Sequence, residues 1–152
     1  MTYEDFILAA DEKDFMMDLH QYMLANQCKV KFEEKKTSLL GSYKYKTKSV
    51  INVLQKKQGL LVRIYGENIG SYPAFLHTLP APMVAHLETA GECKRITQNT
   101  CSPKCTGYDF MVNDQHFQKC RYNCFEFLVT DVTRPFIRQF VENELGARVS
   151  NE

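Results

Sequence analysis

Four of the six cysteines crowd into CSPKCTGYDFMVNDQHFQKCRYNC (101–124), as two Cys-x-x-x-Cys pairs: Cys101 with Cys105, and Cys120 with Cys124. Thiols paired at short spacing have three uses. As thiolates they ligate zinc (Zn), which takes four ligands in a tetrahedron, commonly from cysteines a few residues apart. As activated nucleophiles or dithiols they support enzyme or redox chemistry. As neutral thiols they pack, because cysteine behaves as a small buried hydrophobe. Three intervening residues suit zinc, although two is the commoner spacing. Pro103 and Gly107 would shape the first loop, and Lys104, Lys119 and Arg121 would lower the thiol pKa values nearby.

For these thiols to act together the chain must fold back between the pairs. Tyr108, Phe110 and Val112 alternate up to Asn113-Asp114, a two-residue hairpin signal, and Gln115 to Arg121 forms the return strand. That hairpin sets Val112 opposite Gln115. It brings Cys101, Cys105, Cys120 and Cys124 to one end of the ladder, where adjacent strands are about 5 Å apart. Reduced packing thiols, a zinc site and redox or disulfide chemistry all remain open, in that order. The lone Cys93 is at most a spare ligand. Cys28 alternates with core positions and is expected to be buried.

Charge supplies the second candidate. Residues 1–28 carry one Lys against six acids, residues 29–63 carry ten Lys/Arg against two acids, and residues 64–152 carry eight against ten. Within the basic block, SYKYKTKS (42–49) reads as a strand with Lys44, Lys46 and Lys48 on one face and Tyr43 and Tyr45 on the other. Three like charges in a row attract an anion, and nucleic acid is the polyanion such a face would suit. The tyrosines point away from the cations, whereas single-strand binders stack bases beside them. A solvated Lys-rich face near a sheet edge is the plainer alternative.

Other chemistry finds little support. His20, His77, His86 and His116 are scattered, with no Ser/His/Asp or Cys/His grouping. GENIG (66–70) lacks the Lys and Ser/Thr of a phosphate loop. Glu67 and Asn68 follow a central strand and are placed either to line a cleft or to cap the next helix. Arg63 lies in an apolar strand and is expected to pair with an acid of the first long helix, such as Asp18.

The elements that position these residues follow from periodicity. Phe15, Met16, Leu19, Tyr22 and Met23 mark a helix over 11–26, preceded by a short apolar arm at Phe6, Ile7 and Leu8. Residues 28–34 alternate as a strand, and 38–66 read as two or three more, with turns near Thr47–Ser49 and Lys57–Gly59. LLVRIY (60–65) is the most apolar and is expected near the sheet centre. Helical signals return at Tyr72–Leu79 and Met83–Thr89, then three strands, then a helix from about Val132 to Leu145 with Gly146 past its end. Disorder is expected only at Arg148 to Glu152. Consecutive runs of strands imply an α+β fold, one domain over 1–152, with a largely antiparallel sheet and flanking helices.

The stretches GLLVRIYGENI (59–69), FLHTLP (75–80), CSPKCTGYDF (101–110) and QKCRYNCF (118–125) resemble an uncharacterised family of small bacterial proteins common in Firmicutes. The resemblance covers most of the chain from Asp11 to Leu145. It implies a bacterial, cytosolic origin and carries across neither an activity nor a site residue.

The N-terminal MTYEDFILAADEKDF has no basic leader, and no apolar run approaches the ~20 residues that span a bilayer. A cytoplasmic protein without a membrane segment is expected, in which stable disulfides would be unusual. The function expected is a non-enzymatic binding or regulatory module. It would use a Lys44/Lys46/Lys48 face for an anion or nucleic acid, and structural zinc at the cysteines. The competing class is a thiol enzyme with Cys105 or Cys120 as nucleophile.

Overall fold

The computed structural model describes residues 1–100 and 105–152. Cys101 and Lys104 therefore lie outside the described residues.

Thr2 opens the first helix, α1 (Tyr3–Ala9), with a capping box: its hydroxyl accepts from the Asp5 amide while the Asp5 carboxylate accepts from the Thr2 amide. The expected apolar arm is thus a helix. Only Phe6 of it is fully buried, and Leu8 is 78% exposed. Helix α2 (Lys13–Ala25) buries Phe15, Met16, Leu19, His20 and Met23 along the predicted face.

Five strands follow the alternation: β1 (Lys29–Glu34), β2 (Leu39–Tyr45), β3 (Lys48–Lys56), β4 (Gly59–Ile64) and, much later, β7 (Glu126–Leu128). They form one antiparallel sheet in the order β1-β2-β3-β4-β7. The register aligns Phe32, Gly41, Val53, Val62 and Phe127 in one inward row across the sheet. LLVRIY therefore sits inside the sheet but fourth of five, because β7 arrives from far along the chain to cover its open edge. At the tip of β3–β4, Gly59 adopts φ +133, a conformation that residues with a side chain rarely take.

The β2–β3 turn falls one residue earlier than predicted, at Lys46-Thr47, both with positive φ (47 and 72). Lys44, Lys46 and Lys48 consequently do not share a strand face. Lys44 is on β2 opposite Lys29 of β1, Lys46 is in the turn, and Lys48 opens β3. Tyr43 and Tyr45 do point into the core.

Beyond β4 the chain passes a 3-10 turn (Ile69–Ser71) and helices α3 (Pro73–Leu76), α4 (Ala81–Thr89) and α5 (Lys94–Gln98); the last had no apolar periodicity to announce it. The Asn113-Asp114 hairpin forms in the predicted register, pairing β5 (Tyr108–Val112) with β6 (Gln115–Lys119) as a separate two-stranded sheet. The final helix, α6 (Arg134–Ser150), packs on β3 and β4 through Ile137, Phe140, Val141 and Leu145. It continues through Gly146 and past Arg148, where disorder was expected. The reason is that its last turns are tied to the sheet by polar contacts that carry no apolar signal. One hydrophobic cluster joins residues of both sheets and of α1, α2, α3, α4 and α6. Among the described residues no helix is long and apolar enough to cross a membrane.

Candidate functional site

The last turns of α6 run beside the C-terminal end of β4, and two arginine–carboxylate systems meet there. Glu144 is fully buried. Its carboxylate accepts from the Tyr72 hydroxyl (2.6 Å), the Asn68 amide (3.0 Å), Asn68 Nδ2 (3.0 Å) and Arg148 Nε (2.8 Å). Burial and the adjacent carboxylate push the Tyr72 phenol well up, so it remains a donor. Arg148 stands one turn beyond Glu144, with its side chain only 7% exposed. Its Nη2 donates to the Tyr65 carbonyl at 2.8 Å. Its Nη1 is shut off from water and has no partner among the described residues.

Arg148 lines a cavity of about 430 Å³ together with Lys46, Lys48, Asn68, Asn151 and Glu152. Glu152 reaches across its mouth, where its carboxylate accepts from the Tyr45 hydroxyl and pairs with Lys46 Nζ at 2.7 Å. An adjoining cavity of about 400 Å³ is lined by Lys48, Ser49, Tyr65, Glu67, Arg121 and Tyr122. Lys48 and Glu67 belong to both walls, so the two cavities are halves of one cleft. In the second half Arg121 pairs with Glu67, and its guanidinium lies 5.6 Å from the Tyr65 ring and 5.8 Å from the Tyr122 ring. Arg121 Nε is likewise buried without a partner among the described residues.

Two of the three lysines singled out in the sequence, Lys46 and Lys48, thus reach this cleft, and Glu67 and Asn68 line it. Lys44 does not reach it; it lines a separate cavity with Lys29, Lys31 and Glu33 on the outer sheet surface. Arg148, Arg121 and Tyr65 were not legible as cleft residues because their partners are far away in sequence, and Tyr122 enters the cleft beside Arg121. Arg63 pairs with Glu126 of β7 at 3.3 Å, while Asp18 pairs with Arg138 at 2.9 Å, so the expected Arg63–Asp18 bond does not form.

The cysteines separate into two environments. Cys28 and Cys124 are buried; burial pushes the Cys28 thiol up to about 11 and the Cys124 thiol further still. Cys105 and Cys120 line one cavity of about 240 Å³, joined there by Cys93 rather than by Cys124. The segment carrying Cys93 docks on the edge of β6: the Cys93 amide donates to the Gln118 carbonyl at 2.9 Å, and the Cys120 amide donates to the Gly91 carbonyl at 2.8 Å. Gly107 makes room for this, since a Cβ there would come within 2.2 Å of Cys93 Sγ. Buried Lys119 donates from Nζ to the Ala90 carbonyl (2.9 Å) and Glu92 Oε1 (2.8 Å). Among the described residues no histidine lines the cavity. Among the described residues no three His, Cys, Asp or Glu side chains are grouped to hold a metal ion. The proposed ligand Cys101 lies outside the described residues.

In comparisons with known proteins, no family model, no curated protein and no solved structure matches the chain.

Proposed function

We propose that this chain is a non-enzymatic binding module for a small anion, held where α6 meets the β2–β3 turn. The observation that carries the reading is the Arg148 guanidinium. A buried N–H donor without an acceptor costs roughly 1–3 kcal/mol, more when the group is charged, so native structures almost always satisfy it. Arg148 Nη1 is such a donor, buried on a side chain that lines a cavity also presenting Lys46 and Lys48. A phosphate or carboxylate oxygen in that cavity would supply the missing acceptor once the guanidinium turns Nη1 toward it, and guanidinium geometry suits it. Glu152 supports the same reading: a carboxylate is already seated on Tyr45 and Lys46 at the cleft mouth. A bounded cleft suits a small ligand better than a polymer, and Lys44 stands apart from it, so nucleic acid is the weaker form of the proposal.

The test is titration with inorganic phosphate, followed by NMR chemical shifts and by thermal denaturation, because a ligand that binds only the folded state raises Tm. Phosphate is expected to move the signals of Arg148, Lys46 and Asn68 and to raise Tm. Both effects should vanish in Lys46→Ala/Lys48→Ala, whose side chains are exposed enough for the fold to survive. The absence of any shift at these residues would refute the reading.

A structural zinc held in part by Cys105 and Cys120 is a second reading, favoured by one observation: both thiols line the same cavity. Elemental analysis of the purified protein tests it. Stoichiometric zinc released on substituting Cys120 supports it, and zinc-free protein with intact fold removes it.

A further inference from the structure

We infer that the anion of this cleft is the phosphate of a mononucleotide, whose base lies against Tyr122 and Arg121 and whose ribose meets Glu67. The inference rests on the anion-binding reading and adds the ligand class to it. The two halves of the cleft offer different chemistry across a shared wall. One half is cationic and amide-lined, with Arg148, Lys46 and Asn68. The other is aromatic: Tyr122 is 53% exposed, with the Arg121 guanidinium 5.8 Å from its ring centroid. Aromatic rings backed by arginine are the surfaces on which nucleic-acid bases stack. Arg121 lines the aromatic half, and its Nε is a buried donor without a partner among the described residues, as are Arg148 Nη1 and, outside the cleft, Arg63 Nε.

The shared wall separates phosphate from base as a ribose does. It holds Glu67, and a carboxylate at that position accepts hydrogen bonds from ribose hydroxyls, the role acidic residues play in dinucleotide sites. The sign of the charge agrees: Lys46, Lys48, Arg121 and Arg148 stand against Glu67, Glu152 and the buried Glu144 that pairs with Arg148, leaving one positive charge. A phosphomonoester near neutral pH carries about −1.5 to −2. Each half falls within the ~300–1,000 Å³ of small-molecule sites. Glu152 at the cleft mouth would repel the continuing phosphates of a longer strand, which favours a monomer over RNA.

Calorimetric titration with inorganic phosphate, ribose phosphate, adenosine monophosphate and a short single-stranded RNA tests the inference. Adenosine monophosphate is expected to bind about tenfold more tightly than ribose phosphate, the contribution of one stacked base. Tyr122→Ala, at an exposed position, should erase that difference and leave ribose phosphate affinity unchanged. Equal affinities for the two ligands in the unaltered protein, or a Tyr122→Ala variant that keeps the difference, would overturn the nucleotide while leaving the anion site standing. Failure of every ligand, phosphate included, would remove the anion site as well. RNA binding more tightly than the mononucleotide, with a steep salt dependence, would overturn the choice of a monomer.

Discussion

Removing the Glu144 carboxylate decides whether the base of the cleft is a buried ion pair or an ordinary surface contact. On sequence alone Glu144 and Arg148 are an i,i+4 pair on a helix, worth about 0.3–0.5 kcal/mol when exposed. Their exposures of 0% and 7% put them in the other regime. There, removing one partner strands the opposite charge and costs about 3–5 kcal/mol. Glu144→Ala would strand Arg148 and also leave the Tyr72 hydroxyl and both Asn68 donors without their acceptor. We expect the upper part of that range, a fall in Tm on the order of 10 °C for a chain of this size. Glu144→Gln keeps the shape and some acceptor capacity, and should lose about 1–3 kcal/mol. Glu144→Leu with Arg148→Met removes both charges and should recover the part of the loss due to the stranded guanidinium, with the Tyr72 and Asn68 donors still unmatched. Urea denaturation with linear extrapolation measures all three. A Glu144→Ala loss below about 1 kcal/mol would mean the pair acts as a solvated one. The account of Arg148 as a pre-set anion donor would then fail with it.

Four further outcomes follow from individual contacts. Glu152→Gln weakens the carboxylate's hold on Lys46 and should raise phosphate affinity several-fold, as an exposed ion pair of this kind is worth up to ~1 kcal/mol; unchanged or weaker binding by calorimetry counts against Glu152 as an internal competitor. Thr47 is a β-branched residue at φ 72, so Thr47→Gly should stabilise the fold by about 0.5–1 kcal/mol despite glycine's greater freedom when unfolded; an equal or lower Tm would contradict it. Burial holds the His20 imidazole below its ordinary value against the opposing pull of Glu4, so the unfolded chain takes up the proton first. The resulting stability is full above about pH 6.5 and drains as pH falls through that value toward the lower folded one. Tm between pH 7 and 5 should therefore fall less steeply in His20→Gln, and parallel curves would refute this. Finally, Cys28 and Cys124 should resist a thiol reagent at pH 8 until the chain unfolds, while Cys120, partly exposed, reacts in the folded state; simultaneous labelling followed by mass spectrometry would sink that distinction.

What the sequence determined about this protein by itself is the set of local decisions. Period-2 alternation at 28–34, the apolar run at 60–65, helical spacing at Phe15 to Met23, and Asn113-Asp114 between alternating runs each report burial or a forced turn within a few residues, and each forms the element read from it, although 60–65 is fourth of five strands rather than central. The α+β class follows from their order. The tertiary structure decided which of these pieces meet. Arg148 becomes a cleft residue only because Tyr65, 83 positions away, supplies a carbonyl, and because Asn68 and Tyr72 share Glu144, 76 and 72 positions away. Cys93 replaces Cys124 in the thiol cavity because a loop docks on the edge of β6, while the turn at 121–125 seats Cys124 in the core. Periodicity records that a face is buried. It does not record what buries it, since that depends on the summed packing of segments whose contacts leave no mark on their neighbours in the chain.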